Sequence, residues 1–78
     1  MAGEVVVITG TSTGIGQITA LHLARRGYNV YATMRNPDRG AAPLEAAAAD
    51  EGLNLRVIRM DVDDTASVEA AIASVLRA

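Results

Sequence analysis

The residues best suited to chemistry are three glycines near the start of the chain, Gly10, Gly14 and Gly16. They follow a β-branched run and precede apolar residues at helical spacing, so a strand leads through a glycine turn into a helix. The first turn of a helix presents unpaired N–H groups and a partial positive charge, and glycines let a ligand approach the backbone. This arrangement predicts a binding site for a phosphate group.

The spacing of the glycines limits which phosphate ligand the turn can bind. A P-loop needs four residues between two glycines and then a lysine, and the chain contains no lysine. The G-x-G-x-x-G dinucleotide pattern is not matched either, because Thr19 stands at its third glycine position. The motif that is present is T-G-x-x-x-G-x-G, which runs from Thr9 to Gly16.

The rest of the sequence predicts the elements that position this turn. Strands are predicted at 4–9, 28–34 and 53–60, and helices are predicted at 15–26, at 43–51 and after residue 64. The order β-α-β-α-β-α implies parallel strands joined by right-handed crossovers. We therefore expect an α/β fold with one parallel sheet. The first strand is expected to be buried on both faces because it is continuously apolar.

With its glycine motif between a strand and a helix, the sequence resembles the short-chain dehydrogenase/reductase family. The resemblance implies that residues 1–78 are the N-terminal dinucleotide-binding portion of a larger Rossmann domain. Its expected fold is a partial Rossmann-like, doubly wound parallel sheet with strand order 3-2-1. In such a domain Gly10 permits the sharp exit from the strand, Gly14 opens the approach to the pyrophosphate, and Gly16 lets the helix pack close to the sheet. Ile15 would offer its backbone N–H to the cofactor while burying its side chain.

The resemblance also assigns the two residues between the first two glycines of the motif. Ser12 and Thr13 would reach the adenosine ribose or its phosphate with hydroxyl and backbone groups. Ser12 has a second interpretation as the N-cap of the helix, and the two roles are compatible.

The end of the second strand bears on which cofactor is bound. NAD sites usually place an acidic residue there, whereas this chain has Met34 followed by Arg35. A guanidinium suits a 2′-phosphate, and in the family this arrangement accompanies a preference for NADP(H). Arg39 could assist from the next loop, and Asp38 comes too late to be the ribose acid. The alternative is that Arg35 is a solvated strand-end arginine.

The end of the third strand carries the last two candidate site residues, Asp61 and Val62. By resemblance, Asp61 accepts a hydrogen bond from the adenine amino group and Val62 lines the adenine pocket. An acidic residue before a helix can instead be its cap, although Asp63 and Asp64 are better placed for that role.

Catalytic residues are not recognisable in this sequence. The family uses a tyrosine with a lysine four residues later, but Tyr28 and Tyr31 are followed at that distance by Ala32 and Arg35. We therefore expect an NADP(H)-binding segment whose parent protein transfers hydride between nicotinamide and a carbonyl or alcohol, and which is inactive alone. The alternatives are a non-catalytic nucleotide-binding or self-associating module and a minimal engineered scaffold.

Composition narrows the remaining possibilities. The chain has no cysteine, 7 basic and 9 acidic residues, and no basic cluster, which argues against disulfides, thiolate metal sites and nucleic acid. The apolar run at 5–8 is too short for a signal or membrane segment, so a cytoplasmic location is expected. The first strand would have a free edge, which predicts pairing with another chain or self-association.

Overall fold

The computed structural model describes residues 4–11 and 14–77. Three strands form one parallel sheet in the order β1-β2-β3. The strands are β1 (Val5–Ile8), β2 (Asn29–Met34) and β3 (Leu55–Arg59). The helices are α1 (Gly14–Arg25), α2 (Pro37–Gly40), α3 (Ala42–Glu51) and α4 (Thr65–Arg77). The predicted α/β class, parallel pairing and strand order are confirmed.

One element was not predicted, the single-turn helix α2 between β2 and α3. It begins at Pro37, whose fixed φ suits the first turn of a helix. A helix of 4 residues is too short to show an apolar period, so the sequence predicts a loop over this segment.

The main core lies between one face of the sheet and the helices α1 and α3. Leu44 of α3 is fully buried there, against Val30 and Ala32 of β2 and Ala20 and Ala24 of α1. The alanines keep this core thin, because their short side chains let α1 lie close to the central strand.

The other face of the sheet is covered less completely. Tyr31 and Thr33 of β2 project to this face, where α4 is the covering helix and lies nearest β3. Val5 and Val7 of β1 remain 55% and 37% exposed. The expectation that β1 is buried on both faces is therefore wrong, because within the described ranges no element covers β1 on this side.

A bidentate ion pair joins the ends of α1 and α3. The guanidinium of Arg25 donates from Nε and Nη2 to the two carboxylate oxygens of Glu51, at 2.8 and 2.7 Å. These hydrogen bonds lower the pKa of Glu51 and raise the pKa of Arg25. The pair connects the ends of the two helices. Because both side chains are solvent-exposed, its contribution to the free energy of unfolding is small.

Replacing Glu51 with glutamine is expected to lower the melting temperature slightly at neutral pH. Because folding lowers the pKa of Glu51, its contribution is complete above the ordinary value of 4.5 and is lost as the pH falls through the folded value. The difference from the parent chain should thus disappear in acid, as followed by circular dichroism. Glu69→Gln is the control, because Glu69 is exposed on α4 and forms no ion pair with a described residue. If Glu51→Gln and Glu69→Gln lowered the melting temperature equally, with the same pH dependence, the effect could not be assigned to the ion pair.

Candidate functional site

The parallel sheet brings the ends of all three strands to one edge. The glycine turn follows β1, Arg35 follows β2 directly, and Asp61 comes two residues after β3. The backbone N–H of Met60 donates to the carbonyl oxygen of Met34 at 2.9 Å, which extends the pairing of β2 and β3 to this edge. The structure therefore brings together the described candidate residues from the three strand ends.

The glycine turn has a shape that requires glycine at specific positions. Gly10 and Gly14 have φ values of 65° and 61°, in the left-handed region that side-chain-bearing residues rarely adopt. A Cβ at either position would meet nothing within 4 Å, so the turn leaves open space beside its backbone. Space beside exposed peptide groups at the start of a helix fits the approach of a phosphate.

Gly16 is required because α1 and the turn touch at that residue. A Cβ built on Gly16 would overlap the carbonyl oxygen of Gly10 and lie 2.9 Å from its carbonyl carbon. The close approach at Gly16 is therefore to the turn, at Gly10 and Thr11, where an approach to the sheet was expected.

Two threonines that the sequence did not single out hold the turn against β2. The side-chain hydroxyl and backbone N–H of Thr11 both donate to the carbonyl oxygen of Thr33, at 3.0 and 3.2 Å. The hydroxyl of Thr33 donates in turn to the carbonyl oxygen of Ile8, at 2.8 Å. Both threonines are fully buried, so these bonds anchor the turn to the central strand. No spacing rule links residues 22 apart, and the sequence carried no signal for this pair.

Arg35 is the cationic residue at the end of β2. Its side chain is exposed, and it forms no hydrogen bond or ion pair with another residue in the described part of the chain. Asp38 and Arg39 lie on α2 instead of in an extended loop, and both are exposed. The guanidinium of Arg35 is therefore free to bind an anion near the glycine turn.

Asp61 forms a local turn that engages one of its two carboxylate oxygens. Its Oδ1 accepts a hydrogen bond from the backbone N–H of Asp63 at 3.0 Å, and its own N–H donates to the hydroxyl of Ser67 at 2.9 Å. The cap of α4 is Asp64, whose Oδ1 accepts from the N–H groups of Ala66 and Ser67 at 3.0 and 3.4 Å. Asp61 is not needed as the helix cap, and its Oδ2 remains able to accept a bond.

Two apolar candidate residues are exposed at the same edge. Val62 is 63% exposed and Ile15 is 83% exposed. The expectation that Ile15 buries its side chain is wrong, because Ile15 is the second residue of α1 and projects away from the core. Ser12 and Thr13 lie outside the described residues.

The described ranges contain neither a cluster of metal-ligating side chains nor a membrane-spanning helix. No group of three or more His, Asp or Glu side chains there is arranged to hold a metal ion. Among the helices in those ranges, none combines the length and the apolar character needed to cross a membrane.

A parallel sheet flanked by helices on both faces, with a glycine turn between β1 and α1, defines a Rossmann-like α/β unit. The chain belongs to the short chain dehydrogenase family, whose family profile matches residues 4–78. It is 45% identical over 69 residues to retinol dehydrogenase 12 of Bos taurus, a match covering 87% of this chain and 22% of that protein. The chain thus spans about a fifth of the length of this relative.

Two solved structures show how closely the fold is matched. An alcohol dehydrogenase from the archaeon Thermococcus sibiricus, complexed with 5-hydroxy-NADP, is 35% identical with a TM-score of 0.85, covering 96% of this chain and 32% of that one. A short chain dehydrogenase/reductase from Burkholderia phymatum, in complex with NAD, is 28% identical with a TM-score of 0.87, covering 99% and 27%. These relatives contain different cofactors, so similarity alone does not select one for this chain.

Proposed function

We propose that this chain binds the adenosine half of NADP(H) at the carboxyl edge of its sheet. The observation that carries the proposal is the guanidinium of Arg35 at the end of β2, which has no partner among the described residues and lies at the same sheet edge as the open glycine turn. A 2′-phosphate needs a cationic, hydrogen-bonding partner there, and a planar guanidinium can donate two parallel bonds to it. An NAD site would instead carry an acidic residue for the ribose hydroxyls, where this chain has Met34.

The remaining candidate residues fit the other parts of the same ligand. The backbone at Gly14, Ile15 and Gly16 would hold the pyrophosphate through the start of α1, with Gly10 shaping the turn. The Oδ2 atom of Asp61 would accept from the adenine amino group. Since Val62 is exposed beside Asp61, its side chain can cover an adenine ring and gain from burial.

Ser12 and Thr13 complete the proposed set, as groups for the ribose or its phosphate. The parent activity would be hydride transfer between the nicotinamide and a carbonyl or alcohol substrate. Neither Tyr28 nor Tyr31 is followed four residues later by a lysine. We therefore propose that residues 1–78 alone do not catalyse this hydride transfer. A cytoplasmic location, expected from the composition, stays a prediction.

Calorimetric titration with half-ligands tests the cofactor proposal directly. Adenosine 2′,5′-bisphosphate contains the distinguishing 2′-phosphate, and adenosine 5′-phosphate lacks it. We expect the bisphosphate to bind at least about tenfold more tightly than the 5′-phosphate. Charge-assisted hydrogen bonds to one phosphate are worth roughly 1.5–3 kcal/mol. NADPH and NADH, compared by nicotinamide fluorescence, should show the same order. Equal affinities within either pair of ligands would overturn the assignment.

A second proposal concerns the free edge of the sheet, through which we infer that the chain self-associates. Both β1 and β3 are edge strands of the described sheet, but β3 carries the exposed arginines Arg56 and Arg59. The residues of β1, Val5–Ile8, are uncharged and β-branched. Charged side chains discourage edge pairing and apolar edges favour it, so β1 is the edge that fits a second copy.

Sedimentation velocity over a wide concentration range tests self-association. We expect the average mass to rise with concentration, and Val7→Lys to suppress that rise because a lysine disfavours edge pairing. Val62→Lys is the matched control, since Val62 is also an exposed valine but lies beyond β3. A single monomeric species at every concentration would refute this proposal and leave the cofactor proposal standing.

A further inference from the structure

Four polar side chains come together at the amino end of the sheet, the end opposite the glycine turn. Parallel pairing places Tyr31 beside Arg56 and Val5 beside Asn29. The N–H of Val30 donates to the carbonyl oxygen of Asn54 at 2.8 Å, so Asn54 lies next to the start of β2. Paired residues of a parallel ladder project to the same face, and here that is the face covered by α4.

These side chains line a cavity between the sheet and the last turns of α4. Its volume is about 210 Å³, and Val5 and Val75 provide apolar walls. A cavity needs only about 10–15 Å³ to hold one water molecule, so this one can accept a ligand of several heavy atoms. The cavity and the glycine turn lie at opposite ends of the strands, so the two sites do not overlap.

The polar groups of the cavity have no partners among the residues that the structure describes. Tyr31 is only 9% exposed, yet its hydroxyl forms no hydrogen bond with a described residue. No fully buried side-chain nitrogen or oxygen there lacks a partner, so this hydroxyl remains accessible from the cavity. The carboxamides of Asn29 and Asn54 and the guanidinium of Arg56 likewise form no hydrogen bond or ion pair with a described residue. These donors are open to solvent, so a ligand that enters the cavity can form hydrogen bonds with them without first breaking bonds within the described part of the chain.

The chemistry of the lining indicates which class of ligand the cavity suits. Arg56 supplies a fixed positive charge and a planar fork of N–H donors that matches a carboxylate. The two carboxamides and the phenol supply further donors, and the valines suit a short hydrocarbon part. We propose that this cavity binds a small organic carboxylate with an apolar substituent, at a site independent of the cofactor site.

Nuclear magnetic resonance titration of the chain with sodium benzoate tests this proposal. We expect saturable shifts of the backbone amides of Tyr31 and Arg56 and of the side-chain amides of Asn29 and Asn54. The amide of Gly14 should not move, since it belongs to the other end of the sheet. Benzamide, which has the same shape without the charge, and inorganic phosphate, which lacks the apolar part, should both bind more weakly.

Variants then assign the binding to the cavity. Arg56→Gln should weaken benzoate binding by about tenfold or more, because it removes the charge-assisted bonds. Tyr31→Phe should weaken it by a smaller factor and retain the buried ring. Arg26→Gln is the control, since Arg26 is an exposed arginine in the turn after α1. Each variant's amide dispersion shows that it is folded.

Several results would overturn the proposal. They are an absence of saturable shifts in the cavity, equal binding of benzamide or phosphate, unchanged binding in Arg56→Gln, and an equal loss in Arg26→Gln. The cofactor titrations have separate readouts at the opposite sheet edge, so failure here leaves the proposed function unaffected.

Discussion

Gly16→Ala is expected to lower the free energy of unfolding by about 1–3 kcal/mol and to abolish binding of adenosine 2′,5′-bisphosphate. The new Cβ would overlap the carbonyl oxygen of Gly10. A backbone oxygen cannot rotate away as a side chain can, so either the turn or the start of α1 must move. Such a movement displaces the N–H groups that would hold the pyrophosphate. Thermal unfolding measures the first effect and calorimetry the second.

Gly52→Ala is the matched control for this prediction. Gly52 ends α3 with a φ of 65°, and a Cβ there would meet nothing within 4 Å. The substitution costs only the left-handed backbone strain, about 1–2 kcal/mol. It should thus destabilise the chain to a similar degree while leaving ligand binding intact. Equal losses of binding in the two variants would mean that Gly16 acts through overall stability and not through the shape of the turn.

Arg35→Asp is expected to reverse the preference for the 2′-phosphate. Losing the charge-assisted bonds should weaken NADPH binding by about 10–100-fold, and the new carboxylate repels the phosphate further. The same carboxylate can accept hydrogen bonds from the ribose hydroxyls of NADH, so NADH binding should improve or stay unchanged. Nicotinamide fluorescence titrations of both cofactors measure the change.

Two further variants show whether the change in cofactor preference depends on the position of the altered charge or only on the net charge of the chain. Arg35→Gln should remove the preference without creating a preference for NADH. Arg26→Gln removes the same charge far from the sheet edge and should leave both affinities unchanged. Stability should not change appreciably in any of these variants, because Arg35 is exposed and unpaired among the described residues. If NADPH binds Arg35→Asp as tightly as the parent chain, the 2′-phosphate is bound elsewhere.

The elements around the proposed cofactor site were largely predictable because their signals are local. A β-branched run, positive-φ glycines and the start of a helix occupy neighbouring residues, so the turn between β1 and α1 follows from short-range preferences. Asp64 as the cap of α4 follows in the same way, because its bonds reach only to Ala66 and Ser67. The parallel pairing of the strands follows from their alternation with helices, whereas their order was implied by the resemblance to the family.

Other features could not be predicted because they depend on what lies beside a residue in space. The sequence of β1 favours burial on both faces, but its actual exposure depends on which elements cover it, and Val5 and Val7 are uncovered. Ile15 is exposed for the same reason, since an apolar residue is buried only where another element packs on it. The helix α2 was missed because one turn has no period to detect.

The sequence by itself determined the glycine turn, the charge at Arg35 and the family to which the chain belongs. Only the tertiary structure decided that Thr11 anchors this turn to Thr33, and that Tyr31 and Arg56 share one cavity. The physical reason is how far apart along the chain the interacting residues lie. Backbone conformation and helix capping depend on adjacent residues, whereas these contacts join residues 22 and 25 positions apart, which come together only when the strands pair in register.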